Sequence, residues 1–170
     1  MRMSTLLESV EMNDEHFMHI AIEEAQKAEA KNEVPVGVVV TDSEGCILSR
    51  AHNQIITNCD PTAHAEILAL REACASMRNY RLLSTTLYAT VEPCVMCMGA
   101  IVHARVKRVV FGAHDPKWGA AGSLYNFSED NLLNHHTEIV GGVCAERCRS
   151  MMQHFFRSRR KLRPNTEQKS

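Results

Sequence analysis

Thr86-Leu87-Tyr88-Ala89-Thr90-Val91-Glu92-Pro93-Cys94-Val95-Met96-Cys97 is the stretch on which the fold turns. Thr86–Val91 reads as a strand, a helix starts at Cys94, and Lys107–Phe111 follows as another strand, in β-α-β order. Working towards the N-terminus, the Val-rich run Pro35–Thr41 predicts a buried strand. Asp42-Ser43-Glu44-Gly45 is a turn, after which Cys46–Ala51 pairs back to complete a hairpin. Between hairpin and β-α-β unit, Asp60-Pro61 has the form of an N-cap followed by proline at the first helical position. It predicts a helix from Pro61 to about Asn79, with Ile67, Leu70, Cys74 and Met77 at helical intervals on its buried face.

The flanks complete the pattern. Asn13 or Asp14 can cap a first helix to about Lys31, striped by Met18, Ala21, Ile22, Ala25 and Ala28. Beyond the central unit come a Gly/Ala-rich loop from Gly112 to about Ser123, a short strand near Glu138–Val140, and a last helix from Val143 to Lys161. Strands and helices in this order predict an α/β fold, a three-layer α/β/α domain around a central sheet. Residues 13–161 form that domain, residues 1–12 an N-terminal extension, and residues 162–170 a polar tail expected to be disordered. No internal repeat appears.

At 170 residues the chain fits a single domain. Its formal charge of −1 gives no global signal for nucleic acid, so any RNA contact must come from a local patch. Seven cysteines without an even, regular spacing argue for metal ligation and buried thiols over a disulfide framework. Met1 to Val10 lacks the apolar run of a signal peptide, and no stretch is long and apolar enough to cross a bilayer. A cytoplasmic protein is the expectation.

His64-Ala65-Glu66 and Pro93-Cys94-Val95-Met96-Cys97 carry the chemistry. One imidazole and two thiolates supply three zinc ligands; structural zinc sites are usually closed by four, whereas catalytic ones keep a position open. Cys94 and Cys97 are three apart, which puts two side chains on one face of a helix start, where the helix dipole favours thiolates. His64 and Glu66 both fall in the first turn of their helix and can reach a ligand lying across its N-terminus. Glu66 could close the site as a fourth ligand or, the preferred reading, take a proton from zinc-bound water. The bland alternatives are a core histidine, buried thiols or a redox C-x-x-C pair. Pro93 before Cys94 and the His-x-Glu pattern argue against them. Cys46, Cys59 and Cys74 read as small hydrophobes, and Cys144 and Cys148 as an i,i+4 core pair on the last helix beside Met151, Met152 and Phe155.

The H-x-E and P-C-x-x-C pattern is that of zinc nucleobase deaminases. With Val34-Pro35-Val36-Gly37, Asn53, Asp60 to Glu66, Glu92 to Cys97, Phe111-Gly112-Ala113, Asp115, Gly119 to Ser123 and Phe155-Phe156-Arg157, most of the chain resembles the bacterial tRNA-specific adenosine deaminases. The zinc motif alone would indicate only the wider cytidine-deaminase-like superfamily. The resemblance implies a five-stranded mixed sheet, one zinc ion per subunit and a homodimer with RNA across both subunits. It also implies hydrolytic deamination of adenosine to inosine at the wobble position of a tRNA anticodon loop, zinc-bound hydroxide attacking purine C6 while Glu66 shuttles protons. In that family the residue matching Asn53 hydrogen-bonds the base edge, where an amide offers both donor and acceptor. The residue matching Asp115 contacts the flipped nucleotide's sugar; a local turn before Pro116 is the competing reading of Asp115.

Two positions depart from the family. Trp118 replaces an expected smaller polar residue, and Gln54-Ile55 replaces the usual sequence after the asparagine. The indole reads either as a platform for a splayed base or as a shield for its own loop. Phe156, Arg157, Arg159 and Arg160, with Lys161 and Arg163, crowd the end of the last helix. Basic residues belong there on dipole grounds alone, but aromatics interleaved with the charge suggest RNA contact. Phe155 and Phe156 are adjacent, so at most one can face the core. The rival enzyme is a deaminase of a free base or nucleoside such as guanine, cytosine or cytidine. The rival from another class is a non-catalytic, zinc-stabilised RNA-binding module.

Overall fold

A computed structural model of the chain describes residues 3–129 and 133–162, with side chains described from Asp14 to Lys161. The elements run α1 (Met3–Ala30), β1 (Gly37–Thr41), β2 (Ile47–His52), α2 (Ala65–Met77), β3 (Thr86–Val91), α3 (Val95–His103), β4 (Arg108–Ala113), β5 (Glu138–Gly141) and α4 (Ala145–Leu162). They form a five-stranded sheet in the order β2-β1-β3-β4-β5. β1 is antiparallel to both β2 and β3, while β3, β4 and β5 are mutually parallel, so the sheet is mixed as expected.

Alternation along the strands assigns the layers. Val38 and Val40 of β1, Leu87 and Ala89 of β3, and Val109 and Phe111 of β4 pack with Leu70 and Ala73 of α2 and Met98 and Ile101 of α3. The intervening Val39, Tyr88 and Val110 face Phe17, Met18 and Ile22 of α1 and Cys148 of α4. The result is α2 and α3 on one face, α1 and α4 on the other. Gly37 permits the tight seat of α1, since a Cβ there would lie 2.0 Å from the Ala21 carbonyl oxygen. Tyr88 Oη donates to buried Asp14 at 3.1 Å, and Arg108 grips the same carboxylate through two guanidinium nitrogens at 2.7 and 2.8 Å. Charge-assisted bidentate pairing of this kind ties α1 to the sheet.

Several boundaries differ from expectation. α1 begins at Met3, so Asn13 and Asp14 lie inside it; Asp14 serves the Arg108 pair, not a cap. α2 begins at Ala65 with His64 as its N-cap, four residues after Pro61. Asp60 instead closes a local turn, its Oδ1 accepting from the Thr62 amide and hydroxyl. Cys144 precedes α4 with φ of 54°, leaving Cys148 as the buried member of the pair. Cys46 and Cys59 are exposed, so they are not core residues. Leu162, assigned to the tail at 162–170, is instead the last residue of α4; residues 163–170, including Arg163, lie outside the described residues.

Candidate active site

His64 and Cys94 occupy equivalent positions: each is the extended N-cap of a helix, at φ −70°, ψ 149° and φ −76°, ψ 176°. Neither side chain caps its own helix. Both are thereby free to meet in front of two helix N-termini, whose partial positive charge favours a thiolate. Cys97, one turn into α3, completes the group. The capping of α2 is supplied from elsewhere: Asn53, directly after β2, accepts a 2.8 Å hydrogen bond from the Ala65 amide through its Oδ1. The amide nitrogen of Asn53 therefore points the other way, as a donor, on the wall of the cleft.

The three ligand atoms form a near-equilateral triangle. His64 Nδ1 lies 3.8 Å from Cys94 Sγ and 3.6 Å from Cys97 Sγ, and the sulfurs are 3.6 Å apart. Zinc bond lengths at tetrahedral angles give edges of about 3.6 Å for nitrogen to sulfur and about 3.8 Å for sulfur to sulfur. The triangle thus matches one face of a zinc tetrahedron, and among the described residues no fourth His, Cys or carboxylate joins the group. The two thiols divide one proton: the contact with Cys97 first, and then His64, draw Cys94 down to about 4, while the same contact pushes Cys97 up.

Glu66 stands beside this face, 3 % exposed, and its Oε2 is buried without a hydrogen-bond partner. Burial holds its carboxyl above the usual range. An unpartnered buried carboxylate oxygen costs stability whatever its use, and a bound proton or water would offset that cost. It is not one of the clustered ligand atoms, which agrees with a proton carrier and not a fourth ligand.

These groups floor a cleft of about 1610 Å³, walled by Asn53, Asp115, Trp118, Tyr125, Phe156, Arg157 and Arg160 among others. Small-molecule sites usually span roughly 300–1,000 Å³, so the cleft exceeds the needs of a free base. Asp115 lines it, with one carboxylate oxygen engaged: Oδ1 accepts from the Lys117 and Trp118 amides at 2.9 and 3.2 Å. The local-turn reading therefore holds for that oxygen. Phe155 is buried and Phe156 exposed to the cleft, as their adjacency required. Arg157 and Arg160 line the cleft, but Arg159 turns away, with its guanidinium bonded to the Asn32 carbonyl and lying 5.1 Å from the Phe155 ring centre.

Two contributors were given no role by the sequence pattern. Arg149 joins the basic wall from the first half of α4. Glu92 is buried and gathers the amides of Asp115, Ala121 and Ser123 at 3.0, 3.1 and 2.9 Å, together with the Ser123 hydroxyl. Those hydrogen bonds outweigh the burial that pushes its carboxyl upwards and hold it below its ordinary value. Glu92 thereby clamps the loop after β4 against the ligand segment, where Gly119 makes an isolated bridge with Cys94. Its partners lie 23 to 31 residues away and all but the Ser123 hydroxyl are backbone groups, which leave no trace in side-chain pattern.

Comparison with known proteins agrees with this geometry. A family model for the cytidine and deoxycytidylate deaminase zinc-binding region matches residues 11–113. The chain is 51% identical to a tRNA-specific adenosine deaminase of Haemophilus influenzae over 147 residues, 86% of this chain and 85% of that one. It is 49% identical to one of Bacillus subtilis over 148 residues, 87% and 91% of the two chains. A solved structure from work on A-to-I editing by tRNA:A34 deaminases superposes with a TM-score of 0.77 at 38% identity, covering 80% of this chain and 98% of that one. A guanine deaminase from Nitrosomonas europaea shares the fold at a TM-score of 0.72 and 22% identity, covering 83% of each chain. The chain belongs to the cytidine and deoxycytidylate deaminase family of zinc-binding enzymes, and within it to the tRNA-specific adenosine deaminases.

Proposed function

We propose that this chain deaminates adenosine to inosine in the anticodon loop of a tRNA, at the wobble position. One observation carries the chemistry: three ligand atoms spanning a single tetrahedral face beside the orphaned Oε2 of Glu66. Zinc bound to His64, Cys94 and Cys97 supplies Lewis-acid activation of water. Glu66 takes the proton released as water adds to purine C6 and hands it to N1. It then takes the proton of the new C6 hydroxyl and delivers it to the amino group, which leaves as ammonia. Burial, by raising the affinity of Glu66 for a proton, fits it to hold one between these transfers.

The other side chains bind and orient. The Asn53 amide donates to a ring-nitrogen acceptor of the purine, and the second carboxylate oxygen of Asp115 is left to accept from a ribose 2′-hydroxyl. Phe156, Arg157 and Arg160, which line the cleft, would contact the phosphate backbone beside the target, whereas Arg159 bonds the Asn32 carbonyl. An unpaired loop nucleotide can be splayed into such a cleft at low cost. Among the described residues no helix is long and apolar enough to cross a membrane; it is the tRNA substrate that puts the proposed action in the cytoplasm. A groove between α2 and α3, lined by Ile67, Cys74, Tyr80, Met96 and Ala100, offers an apolar face for a homodimer, and each subunit would hold one zinc at its own His64, Cys94 and Cys97.

The test is incubation with an anticodon stem-loop bearing adenosine at position 34, alongside free adenosine, cytidine, cytosine and guanine. Inosine should form in the stem-loop. Turnover of the free compounds alone would transfer the chain to the rival small-molecule reading. Glu66→Ala should keep zinc and lose turnover; a variant as active as the parent would make the zinc purely structural.

A further inference from the structure

Trp118, the only tryptophan in the sequence, is 68 % exposed. A large apolar ring left in water is unusual unless something covers it. Its backbone, by contrast, is firmly held. Asp115 Oδ1 accepts its amide, Glu92 fixes the Asp115 amide, and the next residue, Gly119, donates its amide to the Asp115 carbonyl at 2.9 Å and bridges to Cys94. The indole therefore does not shield its own loop; it projects from an anchored turn at the edge of the cleft holding His64 and Glu66. Leu124, Tyr125 and Phe156 line the same cleft with half-exposed apolar side chains, and Lys117, Arg149, Arg157 and Arg160 stand among them. Exposed aromatics alternating with cations form the surface that single-stranded polynucleotides require, rings for bases and cations for phosphates.

We propose that Trp118 is a specificity-determining residue: it stacks on an unpaired base next to the target adenosine and so selects a nucleotide held within a single-stranded loop. This inference rests on the tRNA deaminase reading and adds to it a second base-binding position outside the reaction centre. Stacking uses the π-face every base possesses, so the contact demands that a neighbouring base be present and unpaired, with little demand on its identity.

The lone indole is its own reporter. The zinc-loaded protein is titrated with a fluorescein-labelled anticodon stem-loop bearing adenosine 34, following label anisotropy for binding and indole emission for stacking. Emission should fall by about half or more along the same isotherm. Trp118→Ala should raise KM for the stem-loop about tenfold, the order expected for one lost base–aromatic stack, with kcat within about twofold and unchanged zinc content; Trp118→Phe should restore KM. An abasic nucleotide at one flank of the target should raise KM for the parent equally, and add nothing in Trp118→Ala. Unchanged emission during demonstrated binding, or additive effects of the abasic flank and Trp118→Ala, overturns the proposal while inosine formation leaves the deaminase reading standing. Absence of inosine with the parent protein overturns both.

Discussion

Gly119 lies so close to Glu92 that a Cβ on the glycine would come within 2.4 Å of the glutamate's carboxyl carbon and 2.5 Å of the Asp115 carbonyl oxygen. The glutamate cannot swing aside, because three amides and a hydroxyl already hold its carboxylate. The loop must yield instead, and it carries Asp115 and Trp118. Gly119→Ala should cost about 2 kcal/mol, as overpacking commonly does, or a fall in Tm of about 4–8 °C for a chain of this size. KM for the stem-loop should rise with it. Thermal melts and steady-state kinetics that match the parent would show that the clamp does not position the loop.

Asn53 does two jobs that substitution can separate. Its carbonyl caps α2 through the Ala65 amide, and its NH2 faces the cleft. Asn53→Ala should lose about 1 kcal/mol of stability, the usual worth of an N-cap, together with activity. Asn53→Asp keeps an acceptor, carries a charge favoured at a helix N-terminus, and cannot donate. It should melt near the parent temperature yet remain inactive. Recovery of activity in the aspartate variant would assign Asn53 to the fold alone.

Metal binding should be stoichiometric and should stabilise the native state, which alone assembles the triangle. Elemental analysis should give one zinc per chain. Chelation should lower Tm and abolish turnover, with zinc restoring both. Cys97→Ser and His64→Ala should fall short of one zinc and melt below the parent; full metal content in either would remove that side chain from the ligand set.

Glu33 makes stability sensitive to acid. Its carboxylate accepts from the Thr57 amide at 2.7 Å and the Thr57 hydroxyl at 3.0 Å, tying the turn after α1 to the segment leading into His64. Burial alone pushes its carboxyl upwards, but the hydrogen bonds from Thr57, Ile56 and Ile55 prevail and hold it below the ordinary value of 4.5. The unfolded chain therefore binds the proton first on acidification. The contribution is complete above about pH 4.5 and is lost as pH falls through the lower native value. Urea midpoints measured from pH 7 down to pH 3 should drop below about pH 4.5, less steeply for Glu33→Gln. Parallel curves for the two proteins would reject this linkage.

Much of this was legible because short-range chemistry decided it. Thr86–Val91 emerged at its predicted bounds, since its alternating residues face two cores and Pro93 stops it. The three-residue interval between Cys94 and Cys97 fixed two corners of the triangle directly. The start of α2 was misread because Asp60-Pro61 has the local chemistry of a cap, whereas the cap comes from Asn53, twelve residues earlier at the end of β2. Asp14 misled for the same reason: its partners are Tyr88 and Arg108, across the sheet. The basic cluster on α4 could be counted but not sorted, because the partner that draws Arg159 away, the Asn32 carbonyl, lies 127 residues off in sequence, while Arg157 and Arg160 are left lining the cleft.

The reacting groups sit at the starts of α2 and α3, whereas most of the surface a substrate first meets comes from the clamped loop after β4 and the outer side of α4. Bond-breaking and choice of target thus reside on different parts of the polypeptide. A substitution in that wall, at Trp118 for instance, can therefore change what the cleft accepts without touching the triangle of ligand atoms.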